Sequence, residues 1–342
     1  MNKSPELTAP SPEGLRSAES SAVSVGRGRI GRILSRYGRQ LGTVTGLLLL
    51  CGALTALTPY FLTISNLLNV VQQTAINAII AAGMTFVIIT AGIDLSVGSI
   101  VAFAGVVLGS ALAGGHSAFF SVMAGLVVGL LCGAANGVLI AFGELPPFIV
   151  TLGTMSVARG AALVYTHGRP ISGFSAGFRF LATGHVWRIP MPVLIMLAVY
   201  GVGHFLLSRT KLGRYTYAIG GNEQATRLSG VNVRLYKTLV YGISGLLSGL
   251  AAVILTARLD SAQPIAGIMY ELDAIAATVI GGTSLMGGEG KMFGTLVGAL
   301  IMGVLRDGLN LLNVSSYIQQ IVIGSVIIIA VFLDITLKKT KT

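Results

Sequence analysis

The stretch Asn222-Glu223-Gln224-Ala225-Thr226-Arg227-Leu228-Ser229-Gly230 spells a complete short helix inside a polar, basic segment that runs from Ser208 to Lys237. Asn222 is a favoured N-cap, because its side-chain oxygen can accept a hydrogen bond from a backbone N–H of the first turn. Glu223 places a negative charge at the positive end of the helix dipole, and Arg227 lies four residues on as its ion-pair partner. Gly230 can take the left-handed conformation that ends a helix. Eight residues make only about 12 Å of helix, marginal in water even with a cap of about 1 kcal/mol and a pair of about 0.3 kcal/mol. Such a helix needs a surface to lean on. Two readings stand at this point: an ordinary connecting loop with one helical turn, or a docking helix held against a soluble partner at a membrane surface.

The surrounding chain bears on that choice. Of its 342 residues, 53% are hydrophobic and only 10% charged, against about a quarter charged in soluble domains. This is the composition of an integral membrane protein. The formal charge of +11 raises nucleic acid as a partner, but a basic total means little until its charges are placed along the chain. Cys51 and Cys132 sit inside apolar runs and read as small hydrophobic residues. His116, His167, His185 and His204 are scattered, with no carboxylate or cysteine at ligand spacing, so no metal site is expected.

Residues 1–25 are rich in Ser, Pro, Glu and Ala, lack apolar periodicity, and are expected to be disordered. From Arg27 to Leu41, arginines alternate with Ile30, Ile33, Leu34, Tyr37 and Leu41 at helical spacing. That pattern fits an amphipathic segment lying on anionic membrane lipid, or a plain positive flank that orients the first span. A cleavable signal peptide is not expected, because the charged region is long and no small-residue cleavage site follows the apolar core.

About ten apolar segments follow, each tested against the roughly 20 residues needed to cross a bilayer: 41–59, 66–90, 95–115, 118–142, 147–166, 190–208, 236–257, 271–286, 292–305 and 317–335. The eighth and ninth are short. With the N-terminus inside, seventeen of the 23 Lys and Arg residues fall on the cytoplasmic side, and Arg169, Arg179, Arg188, Arg258 and Arg306 fall outside, the positive-inside pattern. An odd number of spans would move Lys338, Lys339 and Lys341 outside, so both termini are expected in the cytoplasm. The same placement accounts for the basic total without DNA or RNA. The expected architecture is an all-α polytopic membrane protein: a tail over 1–40, one transmembrane domain over 41–335 with a cytoplasmic loop at 209–235, and a basic tail over 336–342.

Glycine supplies 46 residues, and Gly125, Gly129, Gly133 and Gly137 recur every fourth residue. In lipid such a face lets helix backbones approach closely, so the fourth span is expected to be central and clasped by its neighbours. Ionisable groups at membrane depth are costly and each needs a reason. Asp94, in Gly92-Ile93-Asp94-Leu95-Ser96-Val97-Gly98-Ser99, either shapes a gate near a broken helix or N-caps the third span. With Ser96, Ser99, Asn136 and Arg159 it forms the candidate translocation path. Arg159 can pair with a carboxylate, contact a polar solute, or snorkel outward, the last being the expectation. Gln263, Glu271 and Asp273 sit where the eighth span opens outside, a candidate rim for a partner. Gly287-Gly288-Glu289-Gly290-Lys291 fails as a phosphate loop, because position 285 is Leu285 and Lys291 is followed by Met292 rather than Ser or Thr. No nucleophile stands with a base at recognisable spacing, and no cofactor or enzymatic activity is expected.

Three stretches resemble the sugar-type permease subunits of bacterial ATP-binding cassette importers. They are residues 92–99; the run from Arg209-Thr210-Lys211-Leu212-Gly213-Arg214 through Gly220-Gly221-Asn222-Glu223 to Gly230-Val231-Asn232-Val233; and Ser261-Ala262-Gln263-Pro264 with residues 270–277 and Gly281-Gly282-Thr283-Ser284-Leu285. The resemblance covers roughly 41–333. The long Ser/Pro-rich N-terminal tail and Glu144, before Pro146-Pro147, depart from the family's pattern. The resemblance implies a permease homodimer in the inner membrane, served by a cytoplasmic ATP-binding subunit and a periplasmic sugar-binding protein, with ribose or a similar monosaccharide as cargo. It also implies that residues 222–230 are the coupling helix seated in the ATPase. The alternative is a secondary transporter of a small polar solute, driven by an ion gradient.

Overall fold

The computed structural model describes residues 42–339. The tail expected over 1–40 lies outside the described residues, as do residues 340–342. The chain begins with α1 (Gly42–Leu57), then α2 (Ile64–Ile89), α3 (Val97–Ala113), α4 (Ala118–Ala141) and α5 (Pro147–Thr166). A small platform follows: β1 (Ile171–Ser172), α6 (Ala176–Thr183) and a hairpin of β2 (His185–Val186) and β3 (Ile189–Pro190). Next come α7 (Met191–Arg209), α8 (Lys211–Gly221), α9 (Glu223–Leu228) and α10 (Val233–Leu259). The chain ends with β4 (Ser261–Ala262), α11 (Tyr270–Ile280), α12 (Met292–Leu311) and α13 (Ser316–Lys339). Starts are written locally: the side chains of Thr63, Ser117, Ser175, Thr210, Asn222 and Asn232 each accept a bond from an N–H of the helix they precede, and Pro147 opens α5, where a missing N–H costs nothing.

Each apolar segment expected to span coincides with a helix, and six of these helices are long and apolar enough to cross a membrane. The layering differs from expectation. In α2 and α10, 83% and 67% of the apolar window is buried, against 22% in α4, so α2 and α10 form the centre and α4 packs at the side. The glycine stripe is nevertheless a packing face. A Cβ on Gly129 would stand 2.9 Å from Gly249 Cα, and one on Gly133 2.9 Å from Gly245 Cα, so α4 lies antiparallel on α10 at a spacing only glycine permits. Its other face leaves Val127, Leu130 and Leu131 exposed, as lipid-facing positions should be.

Two regions depart further from the sequence reading. The polar loop at 209–235 contains α8, which continues from α7 with Thr210 as its cap. The eighth segment is not a full span. Gly109 packs on Ala262 and Gly98 on Gly267, eleven helical residues apart, so the chain after β4 descends about 16 Å along α3 before α11 begins. Helix α11 is then a half-length element of 11 residues, about 16 Å. Loop and half-helix together replace a continuous span, and Glu271 and Asp273 lie at depth instead of at an outer mouth. At the chain's end, α13 continues to Lys339, so the basic tail expected from 336 begins as helix.

Candidate functional site: a capped helix wired to a buried polar relay

Helix α9 forms as its residues dictate. Asn222 Oδ1 accepts from Ala225 N at 2.9 Å, and Arg227 Nη2 meets Glu223 Oε1 at 3.2 Å. Lys237 of α10 adds a second brace to Glu223 Oε2 at 2.5 Å, and Gly230 closes the element at φ +81°. The exposed Arg227–Glu223 pair contributes only tenths of a kcal/mol, and the part-buried Lys237–Glu223 pair ties the orientation of α9 to α10. Thr226 turns inward at 7% exposure, while Leu228 stands 89% exposed beside exposed Gln224, Ala225 and Ser229. Leu228 is thus an isolated leucine held out on a short, capped helix.

A single residue, Asn222, joins α9 to α8, and α8 is held fast. Gly220 lies directly on the Ile89 carbonyl at the end of α2, where a side chain would collide. Gly288 N donates to the same carbonyl at 2.9 Å, and Tyr217 Oη donates to Gly290 O at 2.7 Å. Burial pushes the Tyr217 hydroxyl above its ordinary pKa, which keeps it a donor. The Gly287–Lys291 stretch that fails as a phosphate loop is therefore a bracket locking α8 to α2.

One turn beyond Ile89 lies the polar relay. Asp94, fully buried, accepts from Ser96 N at 3.0 Å and Ser96 Oγ at 2.5 Å through Oδ1, and from Ser244 Oγ at 2.8 Å through Oδ2. Ser96 Oγ accepts from Asn136 Nδ2 at 2.8 Å, and Asn136 Oδ1 accepts from Thr154 Oγ1 at 2.5 Å. The relay thus ties the turn before α3 to α4, α5 and α10. Ser96, the residue before α3, is in helical conformation and its side chain makes no bond to the helix, whereas Asp94 Oδ1 takes the Ser96 N–H as an N-cap side chain does, so Asp94 caps the turn that leads into α3. It ends an internal chain of hydrogen bonds that satisfies a carboxylate without a cation. The Tyr241 hydroxyl, buried beside Gly92, has no partner among the described residues. Ser99 is buried one turn into α3.

Arg159 stands apart from this relay and does not snorkel. Its Nη1 donates to Pro264 O at 2.8 Å and Ala266 O at 2.6 Å, pinning the descending loop that starts at half-buried Gln263. Glu271 lies against Gly98. Asp273 does not face outward either. It is 3% exposed, pairs with Arg306 Nη2 at 2.8 Å and accepts from Asn77 Nδ2 at 3.1 Å, so Arg306 is a partly buried residue of α12 rather than part of an outside loop. Ser244, Thr154 and Asn77 escaped the sequence reading, because one polar residue in an apolar helix carries no periodic signal.

Residues 66–331 match the family described as branched-chain amino acid transport system / permease component. The chain belongs to this permease family. It is 50% identical over 305 residues to the ribose import permease protein RbsC of Haemophilus influenzae, covering 88% of this chain and 94% of that one. The ribose import permease protein RbsC of Bacillus subtilis is 49% identical over 298 residues, covering 86% and 92%. The D-allose transport system permease protein AlsC of Escherichia coli is 41% identical over 302 residues, covering 88% and 93%. No solved structure matches. With its apolar helices, this permease is a multi-pass membrane protein.

Proposed function

We propose that the chain is the membrane-spanning subunit of an ATP-driven importer that carries ribose or a similar monosaccharide across the bacterial inner membrane by alternating access. About ten helices cross the bilayer, both termini and α9 face the cytoplasm, and two copies of the chain work as a homodimer. A separate ATP-binding subunit receives α9, and a periplasmic sugar-binding protein delivers cargo to the opposite face. On that face β1 pairs with β4, and the β2–β3 turn presents Trp187, 97% exposed.

The observation that carries this reading is the mounting of α9: an exposed leucine on a capped helix, connected through α8 and the Ile89 carbonyl to the turn holding Asp94. Closure of the ATPase subunits displaces α9, α8 transmits the movement to the end of α2, and the relay of hydroxyls and amides exchanges partners as α3, α4, α5 and α10 shift. A neutral sugar needs no strong intramembrane charge, and weak hydrogen bonds allow its release.

Leu228→Asp and Arg227→Glu are the test. Ribose uptake should be lost and the partner's ATP hydrolysis should no longer respond to sugar-loaded binding protein, with membrane insertion unchanged; normal uptake in both variants removes the docking role. The buried carboxylates of Asp94 and Asp273 favour a second reading, ion-driven secondary transport. Uptake that persists without the ATPase and collapses with a protonophore would establish it instead.

A further inference from the structure

Helices α2, α10, α11 and α12 line a partly open pocket of about 80 Å³ that runs from exposed Gln73 and Arg258 inward to Thr74, Asn77, Asp273 and Arg306, with Tyr270 in its wall. Asn77 lies twelve residues from Ile89, about 18 Å along α2 and near the mid-depth of a roughly 30 Å hydrocarbon core. Polar groups there are expensive unless partnered. Yet among the described residues Thr74 Oγ1 and Asn77 Oδ1 are buried without a hydrogen-bond partner, and Thr74 is only 4% exposed. Asn77 Nδ2 is already committed to Asp273, so its oxygen can only accept. Gly303, also in the wall, keeps room beside the Thr74 hydroxyl, which a Cβ would strike.

The wall selects the ligand by charge and by hydrogen-bond sense. A cation would meet Arg258 and Arg306. An anion would meet the Asp273 carboxylate and the acceptor-only oxygen of Asn77. A neutral molecule carrying several hydroxyls suits every group, donating to Asn77 Oδ1 and Asp273 while accepting from Thr74 and the guanidiniums. Tyr270 supplies an aromatic wall. We propose that this cavity is a mid-membrane station for a neutral polyhydroxyl solute, a pentose on the import reading, on which this inference rests. At its present size it accommodates two or three waters of about 30 Å³ each, so a pentose enters when the helices part, the widening that alternating access supplies.

Thr74→Val keeps the side-chain shape and removes the hydroxyl, and Asn77→Leu removes the acceptor. In proteoliposomes holding the permease, its ATPase and ribose-loaded binding protein, uptake of radiolabelled ribose per inserted permease should fall at least tenfold in both variants. ATP hydrolysis should stay within twofold of the unmodified complex. Thr74→Val should also raise the thermal midpoint, since it removes a buried hydroxyl without a partner. A packing role alone predicts that higher midpoint with unchanged uptake, and this result for Thr74→Val overturns the inference even if Asn77→Leu fails to fold. Absence of ribose uptake by the unmodified complex brings down the import reading and this one together, whereas normal uptake in the variants brings down this one alone.

Discussion

Gly220→Ala tests the link between α9 and the relay. A Cβ at this position would collide with the Ile89 carbonyl and stand 2.5 Å from Gly288 N, about 1 Å short of an ordinary contact. Helix α8 must therefore retreat by at least about 1 Å. The bond from Tyr217 to Gly290, 2.7 Å long, would open to about 3.7 Å and cease to be one. Overpacking costs about 1–3 kcal/mol and the lost bond about 1 kcal/mol, so the variant should be about 2–4 kcal/mol less stable at this junction. The neighbouring Gly221→Ala is the control, because nothing lies within 4 Å of its Cβ and alanine favours helix by up to about 1 kcal/mol. Reconstituted complexes would be assayed for sugar uptake and for ATP hydrolysis stimulated by loaded binding protein. Gly220→Ala should lose uptake while α9 still docks and hydrolysis continues, whereas Gly221→Ala should be indistinguishable from the unmodified chain. Equal uptake by the two variants would refute the proposed path through α8.

Asn222→Ala removes the cap of α9 at a cost of about 1 kcal/mol. Stimulated hydrolysis should fall several-fold, and Asn222→Ser should restore it; identical hydrolysis rates for all three chains would count against a preformed docking helix. At the Asp273–Arg306 pair, with side chains 4% and 32% exposed, Asp273→Asn or Arg306→Met alone should cost about 2–4 kcal/mol and the double variant less than either. Thermal unfolding in detergent gives the cycle, and additive losses would show that the pair is not coupled. Gly133→Ala should separate α4 from α10 and lower the melting temperature by several degrees, while Gly153→Ala, whose Cβ meets nothing, should not. Equal melting temperatures would mean that the stripe is not a packing seam.

Helix α9 was legible because every determinant is local: cap, brace and stop lie within nine consecutive residues, and each acts within one turn. Helix α8 was not, since Gly213, Gly220 and Gly221 read as breakers when only propensity is considered. Close approach to Leu207 and Ile89 accounts for Gly213 and Gly220, and that is a tertiary fact. The half-helix α11 was hidden for a related reason. A hydropathy window counts apolar residues but carries no depth, so 271–286 read as a weak full span. Gln263-Pro264 and Gly267 ahead of an acidic first turn, with Arg306 waiting in α12, were the available signals of a broken element. The glycine stripe was legible as a packing face, yet its periodicity could not say whether one or both sides of α4 would be covered.

What unites these features is α2, the most buried of the long helices. Its polar groups bond to α6, α7, α11 and α12 at several levels. Asn66 donates to Asp307 at 2.9 Å, Gln72 to Ala182 O at 2.8 Å, and Asn77 to Asp273; the Ala78 carbonyl accepts from Tyr200 Oη at 2.9 Å, and Thr85 shares a bond with Thr295 at 2.8 Å. The Ile89 carbonyl completes the series at the end nearest α9. Interlocked apolar side chains already resist sliding, and directional bonds at successive levels add to that resistance, so a displacement applied at Ile89 moves α2 as a unit or breaks bonds at depth. Rigid transmission along α2 and easy exchange at the Asp94 relay are thus complementary. In the import mechanism proposed above, the first carries movement from the capped helix toward the pocket at Thr74 and Asn77, and the second lets α3, α4, α5 and α10 yield to it.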